Sequence, residues 1–250
     1  MLYSEMLSHG YTNVAEFHYL HHDKNGNKYN NISEMGERLV SAAKNAGINI
    51  TLVPIFYQKG GFNSEPNKDQ RRFINTNIDD YIELLEKSKK ICDDQLHANI
   101  GIGIHSLRAV DKQQIIETDN YNKNDLPFHI HVSEQVKEVD ECIDKWGSRP
   151  VEWLLDNLTL KENHHLVHAT HLSENEIINL AKTKANVVIC PITEGNLGDG
   201  IFPLIDYQKN NGNWSIGSDS HVNLSPFEEL RLLDYGQRLI SHNRNTYTNK

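Results

Sequence analysis

What the chain has little of narrows the reading first. Cysteine is scarce: only Cys92, Cys142 and Cys190 occur, an odd number with no C-x-x-C. Neither a disulfide framework nor a cysteine zinc site is indicated, and a reducing, cytoplasmic setting is expected. No apolar run approaches the ~20 residues that a membrane-spanning helix needs. Residues 1–10 include Glu5 and lack a basic-then-apolar layout, so no secretory leader is read there. Basic residues are outnumbered, 25 Lys plus Arg against 34 Asp plus Glu, which leaves a formal charge of −9. That balance lacks the cationic footprint of a nucleic-acid binder and would be repelled by an anionic membrane. H-E-x-x-H, G-x-G-x-x-G, a Walker loop and a G-x-S-x-G elbow are all missing. So is P-C-x-x-C, which excludes the cytidine-deaminase class.

What is present is histidine, 14 copies, mostly set in short apolar runs rather than in a tag-like tract. Seven such runs recur: Thr12–Tyr19, Ile48–Tyr57, Ala98–His105, Pro127–Val132, His165–His171, Asn186–Pro191 and Trp214–Asp219. They are apolar nearly throughout, as buried parallel strands are. Helix-like stretches lie between most of them. Ser33 to Asn45 has Met35, Leu39, Val40 and Ala43 on one side, with Gly47 placed to end the helix. Ile78 to Ile91 carries Ile78, Tyr81, Ile82 and Leu85 at helical spacing. Ser173-x-x-Glu176 and Ser225-Pro226-x-Glu228 read as capping boxes. The polar stretches Gly60–Lys68 and Asn120–Asp125 read as loops, and the tail Ser241–Lys250 as a frayed end. Strand–helix alternation over this length implies an α/β fold of the TIM-barrel type, one strand short of eight, in one domain covering residues 1–250.

In such a fold the chemistry sits where the strands end. Those ends hold His18, Tyr19, His21 and His22; then His105, Ser106 and Arg108; His129, His131 and Glu134; His168 and His171; Thr193, Glu194 and Asn196; and finally Asp219 and His221. Taken alone, an imidazole in an apolar strand is more often a packed structural residue than a ligand. Asp219 could equally be a helix cap. For His131 the neighbouring Glu134 shifts the balance, because imidazole plus carboxylate suits a divalent metal such as zinc. His171 reads as structural, while His164 and His165 fall at the opposite strand end. Arg71 and Arg72 are balanced between a charged helix start and an anion contact.

Across nearly the whole chain these motifs resemble the amidohydrolase superfamily and, within it, the formimidoylglutamate deiminases of histidine degradation. The stretches that carry the likeness are VAEFHYLHHD (14–23), QRRFIN (70–75), HSLRAV (105–110), PFHIHVSEQ (127–135), LVHATHL (166–172), TEGNLGDGIFP (193–203) and GSDSHVNLSPFEELRLLDYGQ (217–237). The resemblance implies a zinc enzyme that releases ammonia from N-formimidoyl-L-glutamate. It implies His131 and Asp219 as metal ligands, with Asp219 also taking a proton from the attacking water. It implies Glu134 as the proton shuttle and His168 as the group that polarises the reacting centre. Tyr19, His105 and Arg108 are implied as contacts to the glutamate part, and a homodimer is implied as the assembly.

The chain departs from that pattern in one respect. The family's H-x-H pair, which supplies two further ligands on the first barrel strand, has no counterpart before Thr12; His129-Ile-His131 lies on the fifth strand. A partial barrel lacking strand one and the flanking β-rich segments is therefore expected, with weak zinc binding and marginal stability. The competing readings are a related deaminase of an aromatic amine and a non-catalytic partial chain.

Overall fold

The computed structural model describes residues 1–123 and 125–246; Asn124 of the 120–125 loop and the last four residues of the tail lie outside them. Two compact units make up the chain, Met1–Ile130 and His131–Lys250.

The first unit opens with the short helix α1 (Leu2–Ser8), followed by β1 (Asn13–His18), α2 (Glu34–Ala46), β2 (Asn49–Phe56), a 3-10 turn (Lys68–Arg72) and α3 (Ile78–Asp93). It continues through β3 (Ala98–Ile100), β4 (Ile102–Ser106), α4 (Lys112–Tyr121) and the start of β5 (Phe128–Val132). β1 runs parallel to β2 with Asn13 opposite Asn49 and His18 opposite Pro54. β2 then pairs in parallel with both β3 and β4. Helix α2 ends where expected: Gly47 takes a left-handed conformation (φ 88°) and its N–H returns to the Ala43 carbonyl. In α3 the buried face is Tyr81, Leu84, Leu85, Ser88 and Cys92. It is rotated from the expected stripe: Leu84 turns inward and Ile82 is only half-buried.

The run Ala98–His105, read as one strand, is divided in two. Gly101 falls between β3 and β4, with its N–H still bonded to the Leu52 carbonyl of β2 at 2.8 Å. A Cβ at this position would meet the Pro127 carbonyl oxygen at 3.1 Å and a Val53 methyl at 3.2 Å. Close backbone approach of this kind favours a residue without a side chain. Among the described residues, the seven apolar runs thus become eight strands. Just beyond the break, the buried hydroxyl of Tyr81 donates to the Pro54 carbonyl and accepts the Gly103 N–H, each at 3.0 Å. One phenol therefore satisfies a backbone group on each of two adjacent strands. Tyr81→Phe is expected to leave both unpaired in the core and to cost about 1–3 kcal/mol, read as a lower urea midpoint at unchanged slope.

The second unit completes β5 and continues with α5 (Val136–Trp146), α6 (Pro150–Asn157), β6 (His164–His168), α7 (Glu174–Thr183), β7 (Asn186–Ile189), α8 (Pro191–Leu197), α9 (Leu204–Lys209), β8 (Asn213–Ile216) and α10 (Pro226–Ser241). β6, β7 and β8 are parallel, with Leu166 opposite Val187 and Val187 opposite Trp214. β6 begins at His164, one residue before the expected run, and His164 is itself buried.

Of the two expected capping boxes, only the one at Ser173 forms. The Ser173 Oγ accepts the Glu176 N–H, and the Glu176 carboxylate accepts the Ser173 N–H at 2.8 Å. At Ser225 the partners are taken elsewhere. Its N–H goes to Asn223, and Glu228 pairs with Arg231 at 2.7 Å instead of folding back. No helix among the described residues is long and apolar enough to cross a membrane.

Candidate active site

In the second unit, strand ends are followed by backbone that non-glycine residues seldom adopt. Ser133 (φ 50°), His168 (φ 69°), Ala169 (φ 49°), Asp219 (φ 43°) and His221 (φ 56°) are all left-handed. Such conformations cost of order 1–3 kcal/mol each and persist only where surrounding bonds hold them. Here the Ala169 N–H donates to the Val132 carbonyl at 2.9 Å, and the His171 N–H to the Ser133 carbonyl at 3.0 Å. These turns swing the residues after β5, β6 and β8 off the strand direction.

His168 lies at the centre of the resulting cluster. It is 1% exposed. Its Nδ1 lies 3.2 Å from Glu194 Oε1, while its Nε2 is 3.8 Å from Glu134 Oε1 and 4.0 Å from Asp219 Oδ2. The His131 ring stands 5.6 Å away, centroid to centroid. Burial by itself would lower the His168 pKa. The Glu194 hydrogen bond and the charges of Glu134, Glu194 and Asp219 outweigh it, so the net direction is upward. The structure therefore gathers four of the expected residues, His131, Glu134, His168 and Asp219, into one unit. Glu134 is oriented from behind, its N–H donating to the Glu138 carboxylate at 3.1 Å.

Imidazole nitrogen and carboxylate oxygen are the donor types that zinc takes. Among the described residues, ligand atoms of His168, Cys190 and Asp219 all lie within 4.8 Å of one another; His131 is not of that group. Cys190 is a poor member of it. Burial pushes its thiol well above the ordinary value, and the nearby Asp219, Glu194, Glu229 and Glu134 push it further, so it stays protonated rather than a thiolate. Of the ligands expected for the metal, Asp219 belongs to that group and offers a carboxylate oxygen, while the imidazole within it is that of His168.

Helix α8 ties the cluster together. The Glu194 carboxylate reaches His168 and also accepts the Cys190 N–H at 2.9 Å. Thr193 Oγ1 lies 2.8 Å from Ser220 Oγ and accepts the Ser220 N–H, which steadies the segment bearing Asp219. Thr193 and Glu194 had read only as polar residues near a strand end, because the three-dimensional return of α8 onto β6 is not visible in a linear chain. Asn196, grouped with them, is exposed. Glu229, which sequence reasoning missed, is buried on α10 and accepts the Ile192 N–H at 2.9 Å. Burial raises its carboxyl; the Ile192 bond opposes this, and the Glu194 and Asp219 charges add to it, leaving it at about 7.

A buried acid raised in this way binds more protons folded than unfolded between about pH 4.5 and 7. Its contribution to stability is therefore lost as pH rises through that window. The slope of stability against pH over this range is expected to flatten in Glu229→Gln, measured by denaturant unfolding at pH 5, 6, 7 and 8.

The first unit carries the other expected residues. Rings of Tyr19 and Tyr57 flank His105 at 5.9 and 4.5 Å, and both Tyr rings stand 6.1 Å from Phe73. Tyr19, Tyr57, Gln70, Phe73 and His105 line one cavity of about 780 Å³. The Tyr57 hydroxyl accepts from Gln70 Nε2 at 2.8 Å. Its pKa is raised by burial, against the lowering effects of that bond and of the Arg108 charge, which marks Arg108 as a neighbour. Tyr57, Gln70 and Phe73 were not singled out from sequence as contacts. Arg71 and Arg72 serve as braces: Arg71 Nε donates to the Lys24 carbonyl and Arg72 Nε to the His22 carbonyl. His171 is structural, bonded through Nε2 to the Asp199 carbonyl at 2.7 Å. His18 and His21 are buried, and burial pushes His18 down to about 4.

The chain belongs to the amidohydrolase family, whose model matches residues 3–247. A formimidoylglutamate deiminase of Pseudomonas aeruginosa is 47% identical over 98% of this chain, which covers 54% of that protein. A crystal structure of an amidohydrolase from Brucella melitensis superposes with a TM-score of 0.96 at 44% identity, over 100% of this chain and 55% of that one. A zinc-bound adenosine deaminase from Xanthomonas campestris shares the fold at a TM-score of 0.79 and 20% identity, with 98% of this chain and 51% of that one covered. The expected α/β fold of the amidohydrolase barrel class is thus the one found. The chain spans about half the length of the relatives it matches.

Proposed function

We propose that the chain carries the chemistry of a zinc-dependent deiminase that hydrolyses N-formimidoyl-L-glutamate to N-formyl-L-glutamate and ammonia in histidine degradation. The observation that carries the reaction class is a buried imidazole faced by carboxylates from separate elements, with Glu134 and Asp219 both near its Nε2. The 47% identity to a formimidoylglutamate deiminase supports the choice of substrate.

In this reading His131 and Asp219 hold the metal. When bound, zinc supplies Lewis acidity and eases ionisation of water near neutral pH. Asp219 takes the proton from the water that attacks the formimidoyl carbon. The carbon–nitrogen bond to the terminal nitrogen then breaks as Glu134 delivers a proton to it, and ammonia leaves. His168, whose protonated form is favoured by its carboxylate neighbours, stabilises the tetrahedral intermediate formed by that attack. Recognition of the glutamate portion is assigned to Arg108, His105 and Tyr19. A guanidinium offers two parallel donors to a carboxylate, which an ammonium cannot.

Ammonia release from N-formimidoyl-L-glutamate by the zinc-supplemented chain tests the reading, with guanine and adenosine as comparison substrates. Zinc-dependent turnover of formimidoylglutamate alone supports it; turnover of an aromatic amine instead replaces it.

A further inference from the structure

We infer that Glu194 is the positioning residue that fixes which nitrogen of His168 faces the reaction. Its consequence for hydrolysis rests on the function proposed above; the placement of the proton does not.

His168 is buried, so solvent does not settle its tautomer. The Nδ1 edge meets Glu194 Oε1 at 3.2 Å. A carboxylate only accepts, so Nδ1 must carry hydrogen, and in the neutral ring Nε2 is left with its lone pair. That Nε2 is the nitrogen facing Glu134 and Asp219.

The Glu194 carboxylate is itself held. The side chain is 3% exposed. The same Oε1 accepts the Cys190 N–H at 2.9 Å, and the Glu194 N–H returns to the Cys190 carbonyl at 2.9 Å. One turn of backbone at the start of α8 thus clamps the carboxylate that clamps the imidazole. Glu194 bonds the edge of His168 turned away from Glu134 and Asp219, which is why it is a positioning rather than a catalytic residue.

A competing role is purely structural, with Glu194 only closing the turn at Cys190. Nitrogen-15 spectra of the histidine rings separate the two. The 250-residue chain, free of metal, is recorded at rising pH until the ring shifts reach their plateau, so that the neutral ring is read, and His168 is assigned by the signal lost in His168→Gln. The expected result is Nδ1–H as the dominant tautomer in the wild type. Glu194→Gln, which keeps an acceptor for both Cys190 and Nδ1, should retain it. Glu194→Ala should shift the majority to Nε2–H. A wild-type ring that is Nε2–H overturns the proposal, as does a folded Glu194→Ala chain that stays Nδ1–H. If Glu194→Ala fails to fold, the wild-type and Glu194→Gln spectra decide.

Kinetics give an independent arm. Glu194→Ala should lower kcat by about 100-fold or more, because the protonated ring used in the proposed function loses the carboxylate that orients and stabilises it, with KM within about twofold. A wild type that does not release ammonia from formimidoylglutamate refutes the proposed function, while the spectra still judge Glu194.

Discussion

Replacing Asp219 with Asn is expected to lower hydrolysis of N-formimidoyl-L-glutamate by about a thousandfold or more while leaving the fold intact. General-base catalysis alone contributes roughly 100- to 10,000-fold, and an amide cannot take the proton. The same change would remove a carboxylate ligand from the proposed metal, so both effects act in one direction. Stability should not follow. Asp219 adopts a left-handed backbone, φ 43°, which Asn tolerates as well as Asp. Its side chain is 27% exposed, so substitution buries no unpaired amide. Parallel measurement of ammonia release and of the melting temperature checks the expectation. Activity within tenfold of wild type, at an unchanged melting temperature, would remove Asp219 from the proton pathway.

Glu176→Ala is expected to have the largest effect on stability. The Glu176 carboxylate is 3% exposed and accepts from Arg149 Nε at 2.7 Å, from the Ser173 N–H at 2.8 Å and from the Glu152 N–H at 3.1 Å. It anchors the first turns of α6 and α7 together. Arg149 extends the network with a second donor to the His171 carbonyl at 2.5 Å. Removing the anion leaves a half-buried guanidinium and two backbone donors without their acceptor. Breaking a buried pair from one side costs about 3–5 kcal/mol, which for a chain of this size lowers the melting temperature by roughly 10 °C. Glu176→Gln keeps acceptors and should lose less. The contrast is Lys137–Glu141, an exposed pair at 3.7 Å, whose removal should be close to neutral. Differential scanning calorimetry on the three variants tests the ordering, and equal losses for Glu176→Ala and Glu141→Ala would contradict it.

Most of the strands and helices could be read from the letters, because their signals are local. Buried parallel strands show as apolar runs such as Asn49–Phe56, and a helix stop shows as Gly47. A residue type at a strand end also carries chemistry that needs no structure to suspect. His131, Glu134, His168 and Asp219 could therefore be placed among the strand-end candidates, while their particular roles rest on the family resemblance.

Where the reading fell short, the deciding group came from elsewhere in the chain. The strand is interrupted at Gly101, where Pro127 and Val53 leave no room for a side chain. The box at Ser225 stays open because Asn223 and Arg231 take its partners. Arg71 and Arg72 hold loops, through carbonyls 47 and 50 residues distant. By itself, then, the sequence determined the element types, the parallel α/β class and the kinds of side chain available for catalysis. These follow from periodicity and composition over a few residues. Only the tertiary structure decided which carboxylate addresses which nitrogen of His168, and that Glu229 is buried where the charges of Glu194 and Asp219 act on it. Hydrogen bonds form over about 3 Å in space, and proximity on that scale between residues 26 or 37 positions apart is set by the packing of helices on the sheet.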